Sequence, residues 1–225
     1  MKFSNRKFIP YFIIAALLFV FPQTISAHAI ADLSKFSRTD VALIYLKLGY
    51  EHIIPLGLDH ILFVLSLFFL NPNLKTVIWQ ATAFTMAHSI TLGLAMYGLI
   101  SPPTYIVEPV IALSIMFVAI ENIISDKLKP SRILIVFAFG LIHGMGFASV
   151  LTGLGLPQNQ FLTSLLTFNL GVELGQVTVI LMAWFLIAKW FHQKPWYRQR
   201  IVIPISSVIA VIALYWTIER TFFPA

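Results

Sequence analysis

Six residues of this chain combine titratable or metal-ligating chemistry with a place in or against long apolar runs: His52, Asp59, His60, His88, His143 and Glu173. An ionisable side chain inside a bilayer is expensive, so it marks a functional site by default. Imidazoles and carboxylates in a chain with no cysteine suit a divalent ion of borderline softness, namely nickel, cobalt or zinc. Asp59 can serve such a site as a ligand or as the group that orients His60. Met86 and Met145 stand two positions from His88 and His143, which leaves copper(I) open, although methionine in apolar helices usually packs. The competing plain reading is a set of separate interhelical hydrogen bonds, which membrane bundles use as glue. Three histidines at similar depth, with Asp59 and Glu173, favour one shared metal site.

Other residues support that site. Asn169, Glu173 and Gln176 are spaced i, i+4, i+7 and form one polar stripe on a helix. Ser89 follows His88 and Gly144 follows His143. Glu108 opens an apolar run, where it either faces the site or complements a helix dipole. Gly140, Gly144 and Ala148 form a small-residue stripe beside His143. Gly171 and Gly175 form another on the face away from Glu173. Such stripes predict neighbouring helices pressed close. Pro55 and Gly57 predict a bend between His52 and Asp59, because proline lacks the N–H and crowds the preceding turn. Glu121-Asn122 reads as a solvated helix end and His192 as a surface residue.

The elements that must hold these residues follow from composition. Of the 225 residues 59% are hydrophobic and 11% charged, against about 25% charged in ordinary soluble domains. The chain therefore reads as all-α, a polytopic membrane helix bundle with six transmembrane helices after a cleavable signal peptide. The signal peptide covers residues 1–29: a basic start at Lys2, Arg6 and Lys7, an apolar stretch Phe8–Val20, and cleavage after Ala27 or Ala29. Residues 30–50 read as a periplasmic, interfacial amphipathic segment with a short helix capped by Thr39 or Asp40. Residues 51–220 read as the transmembrane domain, with apolar runs at about 53–71, 76–100, 104–124, 132–152, 161–189 and 201–219.

The net charge of +6 sits in the loops. Lys75, then Lys127, Lys129 and Arg132, then Lys189, Lys194, Arg198 and Arg200 fall on one side. Loops 101–103 and 153–160 on the other carry no Lys or Arg. The positive-inside rule makes the first side cytoplasmic and sets the N-terminus of the mature chain in the periplasm of a bacterial inner membrane. Basic charge used this way gives no reason to expect nucleic acid. The expected partners are a metal ion and the lipid bilayer, with a homo-oligomer or a metalloenzyme-maturation protein as further candidates. No phosphate-binding G-x-x-x-x-G-K-[ST] loop and no G-x-S-x-G elbow occurs, so metal movement would be downhill, proton-coupled or partner-driven.

Gly49-Tyr50-Glu51-His52-Ile53 through Gly57-Leu58-Asp59-His60-Ile61-Leu62-Phe63 resembles the first signature of the HupE/UreJ family of membrane proteins. Ala83-Phe84-Thr85-Met86-Ala87-His88-Ser89 resembles the second. Phe139-Gly140-Leu141-Ile142-His143-Gly144-Met145-Gly146 and Phe168-Asn169-Leu170-Gly171-Val172-Glu173 continue the likeness, which covers about 49 to 180. The resemblance implies nickel or cobalt uptake, with His52, Asp59, His60, His143 and Gly144 matching the elements of a permease-like branch. The spacing of His52 from Asp59-His60 is more similar to a second, less characterised branch. The leading expectation is a secondary transporter for a divalent transition metal. The alternatives are an intramembrane zinc-dependent hydrolase with a carboxylate such as Glu173 as base, and a metal-binding accessory or sensor protein.

Overall fold

The structure, a computed structural model, describes residues 36–148 and 160–223, and these are helical with no strand among them. The expected signal peptide and nearly all of the 153–160 loop lie outside the described residues.

Helix α1 (Arg38–Ile53) begins earlier than expected. Its cap is Ser37, whose hydroxyl accepts the Asp40 N–H at 3.2 Å and lies 2.7 Å from the Asp40 carboxylate. Serine followed three positions later by an acid satisfies the first-turn donors better than a cap at Thr39 or Asp40 would. Val41, Tyr45, Gly49 and Ile53 recur every four residues and are buried. That stripe lies against α6 (Phe161–Phe191), the partner α1 touches most. The approach is backbone to backbone: a Cβ added at Gly49 would land on the Phe168 carbonyl, and one at Gly171 on the Leu46 carbonyl. The Gly171/Gly175 face therefore has its close neighbour, and that neighbour is α1.

The chain then bends by 67° at the break before α2 (Leu58–Leu70). The break holds Pro55, in a cis Ile54–Pro55 peptide bond, and Gly57, where a Cβ would run into the His52 carbonyl. The bend expected from Pro55 and Gly57 is where the sequence places it. His52 closes one helix, and Asp59 and His60 open the next.

The other helices are α3 (Leu74–Met96), capped by Asn73, α4 (Thr104–Ile124), α5 (Arg132–Gly146) and α7 (Arg198–Phe222). A π-turn interrupts α6 at Trp184–Ala188 and another opens α7 at Arg198–Val202. After α1 with α6, the main pairings are α4 with α7 and α3 with α5. The mostly buried α2 runs through the middle, touching α1, α3, α4, α6 and α7.

Among the described residues three helices, α4, α6 and α7, are long and apolar enough to cross a membrane, and the bent α1–α2 pair would make a fourth span. The six runs read from the sequence are thus not six long apolar helices among the described residues. The 53–71 run is cut by the bend, leaving α2 with 13 residues, and α5 has 15. Helix α3 has 23 residues but carries many polar ones, and Gln80, Thr85, His88 and Thr91 are buried within the bundle. A helix whose polar side faces protein rather than lipid loses hydropathy without losing its fit.

Candidate metal centre

The α1–α2 bend sets His52 and His60 against each other, with ring centroids 4.7 Å apart at 68°. His88, midway along α3, completes a triangle at 5.7 Å from His60 and 6.2 Å from His52. One ring nitrogen of each lies within 4.8 Å of those of the other two. His60 and His88 are buried and His52 is half-buried. The Nε2 atoms of all three are shielded from solvent and have no hydrogen-bond partner. Ligands of one zinc-like ion, at about 2.0–2.1 Å from the metal, stand roughly 3.3–3.5 Å apart, so a modest closing of the rings would complete a three-nitrogen site.

The surroundings orient the rings. Asn169 donates its Nδ2 to the Leu165 carbonyl at 2.8 Å, which turns its Oδ1 to His88 Nδ1 at 3.1 Å. With Nδ1 as the donor, His88 Nε2 keeps its lone pair for the centre, the division of labour metal-binding histidines use. His143 on α5 stands 5.2 Å from the His60 ring. Ser114 donates to the Ile111 carbonyl at 2.6 Å, and its oxygen accepts from His143 Nε2 at 2.9 Å. That leaves His143 Nδ1 buried and without a partner. His143 is a wall of the centre and a fourth donor in reserve, outside the nitrogen triangle. Phe84 and Phe147 close the remaining sides; Phe147 lies 3.9 Å from His52 and Phe84 4.9 Å from His143.

The carboxylates go elsewhere. Both oxygens of Asp59 take hydrogen bonds from Arg220, at 3.0 and 3.1 Å. Glu173 is held by Thr82 at 2.5 Å and Thr85 at 2.6 Å. Of its stripe, Asn169 reaches the centre, whereas Gln176 lies 3.4 Å from Thr85. Ser89 donates to the Thr85 carbonyl at 2.6 Å. Glu108 has an exposed side chain, and its carbonyl accepts from Arg220 at 3.3 Å. Gly144 lies under α3: a Cβ there would overlap the His88 carbonyl and the Thr91 hydroxyl.

Several residues were not singled out from sequence. Ser114 looks like one polar residue in an apolar run. Arg220 looks like a helix-end charge. Thr82 and Thr85 form a hydroxyl pair on α3 that the histidine beside it overshadows; they stand in line with Ser89, which the sequence does mark. Glu121-Asn122 needs correcting. It is not a solvated end, because Asn122 is fully buried, donates to the Ser66 carbonyl at 2.7 Å and accepts from Arg132 at 3.3 Å. Arg132, assigned by position to the loop charges, is 1% exposed and pairs with Glu121 at 3.2 Å. His192 is exposed, as expected.

A family model described as HupE / UreJ protein matches residues 28–220. Comparison with curated proteins and with solved structures found no match.

Proposed function

The chain belongs to the HupE/UreJ family, and from that premise we propose that it is a permease for a divalent transition metal, nickel or cobalt, that passes through the His52–His60–His88 centre. In this reading it lies in a bacterial inner membrane with the start of α1 on the periplasmic side, the Lys- and Arg-bearing loops facing the cytoplasm. The observation that carries the reading is the nitrogen triangle: three imidazoles from three helices, within 4.8 Å, each with a buried Nε2 that nothing in the protein satisfies.

The hydrolase reading is weaker. Three histidines would leave an open position for water, but hydrolysis also needs a base beside that water. Asp59 is taken by Arg220, and Glu173 lies with Thr82 and Thr85 in the wall of a groove that none of the three histidines lines. The accessory reading differs from the permease in flux alone.

The test is elemental analysis of the purified protein with uptake of nickel, cobalt, zinc and copper into proteoliposomes, for wild type, His60→Ala and His88→Ala. Metal-dependent uptake lost in both variants, with helicity intact, supports the proposal. Uptake equal to wild type in both would sink it, and bound metal without flux would point to the accessory role.

A further inference from the structure

The permease reading leaves a charge problem. A divalent ion among neutral imidazoles brings two positive charges into a low-dielectric interior, where an uncompensated charge is strongly disfavoured. Asp59 is neutralised by Arg220 and Glu121 by Arg132, while Glu108 lies exposed on α4. Glu173 differs from these: among the described residues no Lys or Arg pairs with it, although it sits in the middle of the longest apolar helix.

Its hydrogen-bond partners are hydroxyl groups, set in a groove whose other walls are Met86, Leu166 and Leu170. Thr82 Oγ1 lies 2.5 Å from one carboxylate oxygen and Thr85 Oγ1 2.6 Å from the other. Ser89 and Asn169 extend the polar lining of a groove of about 270 Å³ between α3 and α6, with Glu173 in its wall. Carboxylate and hydroxyl oxygens suit a hard cation, in contrast to the nitrogens of the metal centre. The arrangement also accommodates a proton. Thr85 Oγ1 stands 3.1 Å from the Ala81 carbonyl, so it can donate there and accept from a protonated Glu173, or donate to an ionised one. Neither state strands a polar group.

The groove is joined to the centre from both helices. On α6, Asn169 lies one turn before Glu173 and bonds His88. On α3, Thr85 lies one turn before His88 and bonds Glu173. No other titratable group on α3 lies nearer than Lys75, at the start of that helix. Helix α1, with Tyr45, Lys47, Tyr50, Glu51 and His52, packs on the opposite Gly171/Gly175 face. Helix α2 adds Asp59 and His60, and α6 itself carries Lys189 at its far end.

We infer that Glu173, with Thr82 and Thr85, forms a second cation site that takes a sodium ion or a proton and releases it when metal occupies the histidine centre. This rests on the permease reading. The sign follows from charge: the unpaired carboxylate stabilises either the metal at the centre or the small cation in the groove, so each weakens the other. Coupling of this kind is reciprocal: metal at the centre lowers the affinity of the groove for its cation by the same factor.

The test uses the full chain in detergent. Nickel affinity is measured from low to high sodium at fixed pH, and from pH 8 to pH 6 without sodium, for wild type, Glu173→Gln and Glu173→Asp. Wild-type affinity should fall by about tenfold along one of the two series, and which series shows the fall identifies sodium or the proton. Glu173→Gln should be flat in sodium, or should lose the groove's share of the pH response and keep only that of the histidines; Glu173→Asp should retain the effect. Full dependence surviving in Glu173→Gln overturns the inference. A second readout stands apart from metal: the infrared carboxylate band of Glu173, assigned by its absence in Glu173→Gln, should shift on adding sodium or acid. If wild type binds no nickel, the permease reading fails on its own, and an unmoved carboxylate band then overturns this inference separately.

Discussion

Arg220 holds both oxygens of Asp59, at 3.0 and 3.1 Å, although 161 positions separate the two residues. Its other nitrogen reaches the Glu108 carbonyl at 3.3 Å, and its guanidinium lies over Trp216. The first turn of α2 is thereby tied to α4 and to the end of α7. We therefore propose Asp59 as an anchor for the helix that presents His60, its carboxylate engaged by Arg220 outside the nitrogen triangle. Asp59→Ala or Arg220→Ala should each lower stability by about 1–3 kcal/mol, the usual cost of stranding a charged hydrogen-bonding group. The double variant should recover part of that loss. Thermal unfolding in detergent checks the stability, and nickel titration of the same samples should show affinity little changed. Metal binding abolished at an unchanged unfolding temperature would return Asp59 to the ligand set.

The contrast between Asp59 and its neighbour shows what local sequence can carry. His52, Pro55, Gly57 and His60 lie within nine residues, so a bend between two imidazoles could be read directly. His88 and His143 were legible because a histidine inside an apolar run is costly to bury unless the protein uses it. The choices made by the carboxylates were not legible. Asp59 meets Arg220 only because α7 packs on α4, and no local pattern encodes that. The Asn169–Glu173–Gln176 stripe was correct as periodicity, yet only the neighbours decide that Asn169 reaches His88 while Glu173, one turn on, meets threonines. The same limit applies to Gly171: its need for a close neighbour was readable, and the identity of that neighbour as α1 was not. Arg132 was counted as a loop charge because the positive-inside pattern scores position along the chain and is blind to burial.

Gly144 should matter for binding as well as for packing. A methyl group there would overlap the carbonyl of His88 itself, and one at Gly140 would approach the Phe84 carbonyl to 2.5 Å. Backbone cannot rotate aside as a side chain can, so α3 and α5 must part. Gly144→Ala should cost about 1–3 kcal/mol, as overpacking generally does, and should weaken nickel binding because His88 moves with α3. Gly93→Ala is the control, since its nearest neighbour is a terminal methyl of Leu165 at 3.0 Å, which can shift. Unfolding and titration curves for Gly144→Ala that overlay those of wild type would mean that the α3–α5 contact is looser than described.

Asn169 should act through His88. It sets which His88 nitrogen carries the proton and leaves Nε2 free. Removing such a partner typically lowers metal affinity by about 10–100-fold. Asn169→Ala should do so with only a small change in unfolding temperature. Asn169→Asp, which keeps an acceptor in place, should bind more tightly than Asn169→Ala. Equal affinity in wild type and Asn169→Ala would show that the His88 ring is held by packing alone.

At the other end of α2 a second charged node replaces Asp59–Arg220. Arg132 is 1% exposed and reaches Glu121 at 3.2 Å, the Asn122 side chain at 3.3 Å and the Ser66 carbonyl at 3.2 Å. Asn122 links Ser66 to Ser206, which joins α2, α4, α5 and α7. A buried pair adds little net stability when intact, but breaking one side leaves a charge that cannot be solvated, at a cost of about 3–5 kcal/mol. Arg132→Met should therefore be among the most destabilising substitutions in the chain. Arg132→Lys should rescue it poorly, because an ammonium cannot reach Glu121, Asn122 and Ser66 from one planar group. Arg132→Met combined with Glu121→Gln should regain much of the loss by removing the stranded carboxylate. Thermal unfolding of the three variants in one detergent decides the matter. A double variant no more stable than Arg132→Met would show that the cost comes from lost packing and hydrogen bonds and not from the charge left on Glu121.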